Sequence, residues 1–190
     1  MAINDQGIYA GAQQYSCPHF DVRPQQEVSL LVIHCISLPE GHYGTPYIDD
    51  LFAGCLDCDA HPSFSSLQGV RVSAHCLIDR EGLVRQYVPF SERAWHAGLS
   101  QFAGRERCND FSIGIELEGT DRSEYTQAQY QSLAQLTLAI MERYPEITRE
   151  RIVGHSDIAP GRKTDPGEAF DWTYFFDLTF TSNCDRLKEI

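Results

Sequence analysis

The segment VSLLVIH, Val28 to His34, is a short apolar run rich in β-branched residues that ends in a histidine. A run of this length without polar alternation is typical of a strand buried on both faces. The segment RIVGH is predicted to be a second short strand, and it ends in His155. The sequence therefore predicts a layered domain in which histidines lie at the ends of strands, where the following loops begin.

Two further segments predict strands. SAHCLIDREGLVRQYVP predicts a β-hairpin, because alternating runs flank a turn from Asp79 to Gly82. In FSIGIELEG the apolar and polar positions alternate, so we expect a strand with one polar face. The residues expected on that polar face are Gly114, Glu116 and Glu118.

Helices are predicted between and after these strands. The strongest pattern, Gln127 to Arg143, follows a capping box made by Thr126 and Gln129, with Tyr125 and Tyr130 placed as a hydrophobic staple.

Two shorter helices are also predicted. The first runs from about Pro46 to Phe52, with Thr45 as N-cap and Gly54 as terminator, and the last lies in FDWTYFFDL after a cap at Asp171. The segment 57–71 is predicted to be a long surface loop. Strands with interspersed helices give an α/β fold class, as a single layered domain over residues 1–190 whose mixed central β-sheet is flanked by helices.

Composition limits the partners of this domain. The net charge of −12 argues against nucleic acid and against an anionic membrane surface. No sequence feature indicates an obligate protein partner. The N-terminal segment MAINDQGIYAG lacks a basic region followed by an apolar one, and no apolar run reaches the roughly 18 residues of a membrane span. Seven cysteines without regular spacing are typical of reduced thiols, so we expect a cytoplasmic protein.

Three dispersed residues could form a metal site. His34 and His155 each follow a strand-like run, and Asp165 lies ten residues after His155 across a loop rich in Gly and Pro. Two imidazoles and one carboxylate make a complete ligand set for a catalytic zinc with one open position. Spacing alone leaves open the alternative that His34 is an ordinary core histidine and that the other two are loop residues.

Two charged residues fit the chemistry of such a site. Glu116 is a carboxylate within an apolar strand and could serve as the base that activates water, and Lys163 could stabilise an oxyanion. The alternative is an edge strand on which Glu116 simply faces water.

Two cysteine-based sites are less favoured. The group Cys55, Cys58 and His61 has zinc-like spacing but lacks a fourth ligand. Cys35 could be a thiol nucleophile, yet it follows His34 directly, and adjacent strand residues point to opposite faces.

Basic residues in four loop-like places could converge on a carboxylate ligand, although scattered solvated charges are the favoured interpretation. They are Arg71, Arg105, Arg107, Arg162 and Lys163.

Several segments together resemble a known family. LLVIHCISLPEGHYG, VSAHCLIDREGLVRQYVPFSERAWHAG, RERCNDFSIGIELEG, YTQAQYQSLAQL and IVGHSDIAPGRKTDPGEAFDW are similar to the zinc-dependent N-acetylmuramoyl-L-alanine amidases. That family includes phage T7 lysozyme and the peptidoglycan recognition proteins. The resemblance is strongest to its cytoplasmic branch in Gram-negative bacteria, which acts on 1,6-anhydro-muropeptides. It extends from about Gly7 to Phe180 and leaves the tail 181–190 outside.

The resemblance implies an activity and a mechanism. One zinc ion would be held by His34, His155 and Asp165, with Glu116 and Lys163 as the catalytic pair. The substrate would be an anhydro-muropeptide, cleaved between anhydro-muramic acid and L-alanine during cytoplasmic peptidoglycan recycling. Such cleavage removes muropeptides that induce β-lactamase. The alternative is a muropeptide-binding or signalling module without hydrolysis, but family members that only bind typically lack a zinc ligand.

The resemblance also implies contacts to the substrate. Arg71 and Arg107 are expected to anchor carboxylates of the stem peptide, and Trp95 and His96 to line the cleft. Close relatives usually carry an asparagine where this chain has Cys35, a weaker hydrogen-bonding residue, so we expect altered substrate affinity. His75 is expected to be structural.

Overall fold

The computed structural model describes residues 1–181. Its centre is a mixed β-sheet of six strands flanked by helices, which confirms the predicted α/β layered fold. The strands are β1 (Gln13–Gln14), β2 (Phe20–Asp21), β3 (Leu30–Ile36), β4 (Cys76–Ile78), β5 (Val84–Gln86), β6 (Arg93–Ala94), β7 (Gln101–Phe102), β8 (Arg105–Glu106), β9 (Ser112–Glu118) and β10 (Ile152–Gly154). The α-helices are α1 (Tyr47–Ala53), α2 (Gln127–Arg143), α3 (His155–Ile158) and α4 (Trp172–Phe180).

The order of strands in the main sheet is β1-β5-β4-β9-β3-β10. Strands β4, β9, β3 and β10 run parallel to one another, and β5 runs antiparallel to β4 as the predicted hairpin. Two separate ribbons are formed by β2 with β6 and by β7 with β8. The two longest strands, β3 and β9, thus lie side by side near the middle of the sheet.

The two faces of β3 pack against different layers. Leu31 and Ile33 belong to the large apolar cluster that includes the buried residues of α2 and α4. Leu30 and Val32 pack on the other side, against Ala97 and its neighbours. Because side chains alternate along a strand, His34 continues the second set. The His34 side chain therefore projects from the face of the sheet opposite α2 and α4.

Helix α2 follows its sequence signals closely. The Thr126 hydroxyl accepts a hydrogen bond from the Gln129 backbone N–H at 3.1 Å, and the Gln129 side chain accepts one from the Thr126 backbone N–H at 3.1 Å. The rings of Tyr125 and Tyr130 meet edge to face with centroids 6.2 Å apart. Local capping and stapling thus act where the sequence predicted them.

Two local predictions need correction. Thr45 does not cap α1, because its hydroxyl donates to the Leu38 carbonyl at 2.6 Å and Pro46 occupies the N-cap position. Gly54 does end this helix, in the left-handed conformation, as predicted. The segment 57–71 is not only a surface loop, since it contains a 3₁₀ helix whose Phe64 is fully buried.

Strand β9 was predicted to have one polar face, and the alternative placed that face in water at the edge of the sheet. The strand instead lies between β4 and β3, and Glu118 is buried. Glu118 accepts hydrogen bonds from the backbone N–H groups of Gly44 and Arg80. This part of the polar face therefore lies beneath loops that cover the sheet, and the Glu118 carboxylate meets protein groups there instead of bulk water.

The six cysteines within residues 1–181 are free thiols. In the same part of the chain, no helix has both the length and the apolar character needed to cross a bilayer. Thr181 caps the end of α4, and the rest of the tail predicted to lie outside the family match falls beyond the described residues.

Candidate functional site

Neighbouring parallel strands bring two distant histidines together. Strand β10 pairs with β3, and Gly154 lies opposite Ile33 in that register. His34 is the next residue of β3, and His155 is the next residue after β10, where it begins α3. Their Nδ1 atoms are 2.9 Å apart and both rings are buried.

The loop after α3 adds a carboxylate. Asp165 Oδ2 lies 3.0 Å from Nδ1 of His34 and 3.0 Å from Nδ1 of His155. The backbone carbonyl of Asp165 accepts a hydrogen bond from the Ser156 N–H at 3.0 Å, which ties the far end of the loop to the start of α3. The loop therefore returns Asp165 to the histidine that precedes it by ten residues.

These three atoms have the spacing of metal ligands. Bonds of about 2.0–2.1 Å in a tetrahedral site place ligand atoms about 3.3 Å apart, and the separations of 2.9–3.0 Å are close to that value. Within residues 1–181, His34, His155 and Asp165 are the one group of three or more potential ligands that meet in this way. The three residues fit a divalent metal ion.

Charge states near neutral pH also suit metal binding. Burial lowers the pKa of His34 to about 4, so its imidazole is neutral. Burial alone would raise the pKa of Asp165, but hydrogen bonds with His155 and His34 outweigh it and hold that pKa below its usual value. A neutral imidazole and an ionised carboxylate are the forms that bind metals.

Hydrogen bonds on the far side of each imidazole fix its orientation. His155 Nε2 lies 3.1 Å from the Ala97 carbonyl, so an Nε2–H can donate there and leave Nδ1 free. His34 Nε2 lies 2.9 Å from Nδ1 of His96. The Arg162 guanidinium donates to the carbonyls of Ala97 and Leu99. Metal ligands are commonly oriented by such outer partners.

Glu116 stands beside this group. It pairs in register with His34 across β3 and β9, so the two side chains project from the same face of the sheet. Its Oε2 atom is buried and has no hydrogen-bond partner. Burial and the nearby Asp165 charge raise the pKa of Glu116 well above its ordinary value, and the Lys163 charge opposes this shift. Buried polar atoms normally have a hydrogen-bond partner, so this carboxylate oxygen is free to bind a water molecule or a polar ligand group in the cavity.

One cavity of about 200 Å³ joins these groups. Lys163 lines it together with Glu116 and the three potential ligands. Lys163 also lines a second cavity that runs past Ser37 and Thr120. The structure thus brings all five predicted metal and catalytic residues to one place.

The predicted substrate contacts divide into two groups. Trp95, His96 and Cys35 line the cavity of the potential ligands. Arg107 lines a different cavity, beside Leu99, and its side chain pairs with Asp110 at 3.2 Å. Arg71 is exposed and does not line the ligand cavity, although the next residue, Val72, does.

The basic residues do not form one cluster. Arg105 pairs with Glu27 at 2.7 Å and stacks over the Phe111 ring. The Arg162 guanidinium donates hydrogen bonds to the backbone carbonyls of Ala97 and Leu99. These separate partners support the interpretation of scattered charges, apart from Arg107 and Arg162, which line the same cavity.

The cysteine sites gain no support from the structure. Cys55, Cys58 and His61 do not meet as a metal-binding group within the described residues. Cys35 packs partly against the apolar core on the opposite side of β3 from His34. Burial raises the pKa of its thiol to about 12, which suppresses the thiolate that a nucleophile needs.

Sequence reasoning did not identify the groups that support the potential ligands. They are Ser112 and Gly114 on β9, the Asn109 side chain and the Ala97 carbonyl. The spacing of Ser112, Gly114 and Glu116 at alternate positions of one strand was a usable signal, since it places all three on one face. The roles of Asn109 and Ala97 depend on contacts between distant segments and had no sequence signal.

Comparison with known proteins identifies the family of this chain. A family model described as N-acetylmuramoyl-L-alanine amidase matches residues 24–168. The 1,6-anhydro-N-acetylmuramyl-L-alanine amidase AmpD of Escherichia coli (strain K12) is 59% identical over 172 residues, which cover 90% of this chain and 93% of that protein.

Solved structures give the same result. A crystal structure of an AmpD derivative superposes with a TM-score of 0.89 at 58% identity, covering 92% of this chain and 97% of its own. The E. coli amidase AmiD, solved with anhydro-N-acetylmuramic acid-L-Ala-D-γ-Glu-L-Lys, has a TM-score of 0.58 at 35% identity. That match covers 80% of this chain and 57% of AmiD. Together with the site geometry, these matches show that the chain belongs to the N-acetylmuramoyl-L-alanine amidase family.

Proposed function

We propose that this chain is a zinc-dependent hydrolase that cleaves the amide between 1,6-anhydro-N-acetylmuramic acid and L-alanine of muropeptides. The observation that carries this proposal is the convergence of His34, His155 and Asp165 beside the unpaired Glu116 carboxylate. Relatives named for this activity match more than nine-tenths of their own length, and AmiD has been solved with an anhydro-muropeptide.

Each residue has a distinct part in the proposed mechanism. His34, His155 and Asp165 would hold zinc, which when bound supplies a Lewis acid for the scissile carbonyl and lowers the pKa of water. Glu116 takes the proton of the attacking water and then returns it to the leaving nitrogen of L-alanine. Its raised pKa suits this exchange, because a carboxylate with a higher proton affinity accepts the proton of water more readily than one at the ordinary pKa.

Lys163 supplies a fixed positive charge on the wall of the same cavity. Negative charge develops on the carbonyl oxygen as water attacks, and a cation already in place stabilises that charge without rearranging. We therefore assign Lys163 to oxyanion stabilisation. Trp95 on the cavity wall would contact the substrate, whereas the Cys35 side chain packs on the opposite side of β3 from His34. Arg107 and Arg71 lie farther out, where the carboxylates of a stem peptide could reach them.

We further propose that the reaction belongs to peptidoglycan recycling in the cytoplasm, with an indirect effect on β-lactamase induction. The free cysteines among residues 1–181 support a reducing compartment. The relatives that match this chain over most of its length carry the name of an amidase specific for the anhydro sugar.

The test combines metal analysis with hydrolysis of a purified anhydro-muropeptide. We expect one zinc ion per chain, release of the free stem peptide, loss of activity on chelation and recovery when zinc is added back. Tight binding of the muropeptide without release of the peptide would instead identify a binding module. Hydrolysis that survives complete removal of metal would overturn the zinc mechanism.

A further inference from the structure

We propose that His96 is a positioning residue that holds His34 in the tautomer able to bind zinc through Nδ1. This inference rests on the proposed function, because it takes His34 as a zinc ligand. It changes the part expected of His96 from a substrate contact to a support behind the metal site.

The hydrogen bonds of His96 have a direction that metal binding fixes. His34 must present an unprotonated Nδ1 to the metal, so its proton lies on Nε2, 2.9 Å from His96 Nδ1. That nitrogen of His96 then accepts, and its own proton lies on Nε2, 3.1 Å from the Ser112 hydroxyl. A neutral imidazole has one donor and one acceptor nitrogen. The tautomer of His34 therefore fixes the tautomer of His96 and makes the Ser112 hydroxyl the acceptor at the end of this series of hydrogen bonds.

The position of the ring leaves it little to offer a substrate. Both nitrogens of His96 have protein partners, and the ring meets His34 edge to face with centroids 4.9 Å apart. A substrate hydrogen bond to either nitrogen would have to displace His34 or Ser112. We therefore separate His96 from Trp95, whose side chain remains a candidate for substrate contact.

Strand β9 is shaped to receive this ring. Ser112, Gly114 and Glu116 share one face, and the His96 ring lies directly over the middle residue. A Cβ atom on Gly114 would lie 2.4 Å from Cγ and 2.5 Å from Nδ1 of His96, far inside van der Waals contact. Only glycine leaves room for the ring at this position. Strand β9 therefore provides both a hydrogen-bond partner for His96, at Ser112, and the space for its ring, at Gly114.

The backbone of His96 is also held. Its N–H donates to the Asn109 side-chain oxygen at 3.1 Å, and the N–H of Ala97 donates to the same oxygen at 2.8 Å. The Ala97 carbonyl then accepts from His155 Nε2. Two adjacent residues, one through its side chain and one through its backbone, thus orient the two zinc histidines.

The direct test is the protonation of His96 in the zinc-loaded wild-type protein. Imidazole ¹⁵N NMR should place the proton of His96 on Nε2 and the proton of His34 on Nε2. A proton on Nδ1 of His96 would overturn the inference. If the wild-type protein takes up no zinc, the proposed function itself fails, which is a distinguishable result.

Variants test the effect on affinity. Outer partners of metal ligands typically contribute 10–100-fold to metal affinity, so His96→Leu should weaken zinc binding by roughly this factor in a chelator competition. His96→Gln offers an oxygen to the His34 Nε2–H and should recover most of the loss, and His42→Gln, at an exposed histidine, should match the wild type. Circular dichroism checks the fold of each variant. A folded His96→Leu protein with wild-type zinc affinity would overturn the inference, and should this variant not fold, the NMR result decides.

Discussion

His34 and Glu116 occupy paired positions on two adjacent parallel strands, so the proposed metal ligand and the proposed catalytic base project side by side from the same face of one sheet. Neither side chain sits on a mobile loop. Their relative position is set by the backbone hydrogen bonds of β3 and β9, which makes this pair the rigid half of the site. The other half, His155, Lys163 and Asp165, is supplied by the helix and loop that follow β10.

The first prediction separates catalysis from metal binding at this pair. Glu116→Ala should retain zinc, because Glu116 is not among the three converging ligand atoms. Turnover should fall by about 10²–10⁴-fold, the usual contribution of a general base. The measurement is kcat on anhydro-muropeptide together with zinc content, and full activity in this variant would refute the assigned role.

The second prediction concerns the ligand set. His155→Ala should lose both zinc and activity, since it removes one of three protein ligands. The matched control is His61→Ala, which changes a histidine outside the ligand group. Zinc content after gel filtration is the readout. Stoichiometric zinc in His155→Ala would contradict the ligand assignment.

The third prediction concerns the oxyanion charge. Lys163→Ala should lower kcat by roughly 10²–10³-fold with little change in zinc content, as expected when one stabilising group is removed. Lys163→Arg keeps the charge and should recover part of the rate. The role would be wrong if the alanine variant lost substrate affinity alone while kcat stayed unchanged.

The fourth prediction distinguishes zinc chemistry from thiol chemistry. Cys35→Ser should keep zinc and most of the activity, because the buried thiol has a raised pKa and packs towards the apolar core. Thiol alkylation of the folded enzyme should leave turnover largely intact, and chelation should abolish it. The reverse pattern of inhibition would favour a cysteine nucleophile.

The fifth prediction is a pH dependence of stability. Burial lowers the pKa of His75 well below 6.5, with the nearby Arg23 charge adding to the shift. The stabilisation is complete above pH 6.5 and declines as the pH falls, because the unfolded chain takes up a proton that the folded protein does not. The slope is about 1.4 kcal/mol per pH unit for each such histidine.

Urea unfolding of the metal-free protein between about pH 5 and 7.5 measures this slope. His75→Gln should reduce it by close to one proton relative to the wild type. Absolute stability is expected to fall as well, because His75 accepts a hydrogen bond from the Gly114 N–H and lies 3.1 Å from the Glu92 carbonyl. An unchanged slope would show that His75 titrates alike in both states.

Sequence reasoning located the core of the site because the signals there were local. His34 and His155 each end an apolar run, and adjacent parallel strands end at the same edge of a sheet. The start of α2 was equally accessible, since its capping box lies within four consecutive residues. A signal contained in a short segment does not depend on contacts with distant segments, so it can be interpreted from the sequence alone.

Other features depended on contacts between distant segments. Threonine is a common N-cap residue, but the hydroxyl of Thr45 donates its hydrogen bond to the Leu38 carbonyl and does not cap α1. Glu116 could not be assigned to a central or an edge strand until the order of the sheet was known. Likewise, His96 reads as one more histidine near the cleft, and only the packing over Gly114 places it behind His34.

The order of the ligands along the chain has a consequence for biosynthesis. His34 and Asp165 are 131 positions apart, and β10, which precedes the loop of Asp165, pairs with β3 at the edge of the sheet. At translation rates of about 5–20 residues per second, a ribosome needs roughly 7–26 seconds to pass from the first of these residues to the second. The proposed three-ligand zinc site therefore cannot be complete before Asp165 has been synthesised. A product truncated before Asp165 would lack a complete ligand set, so metal loading reports that translation has passed this point.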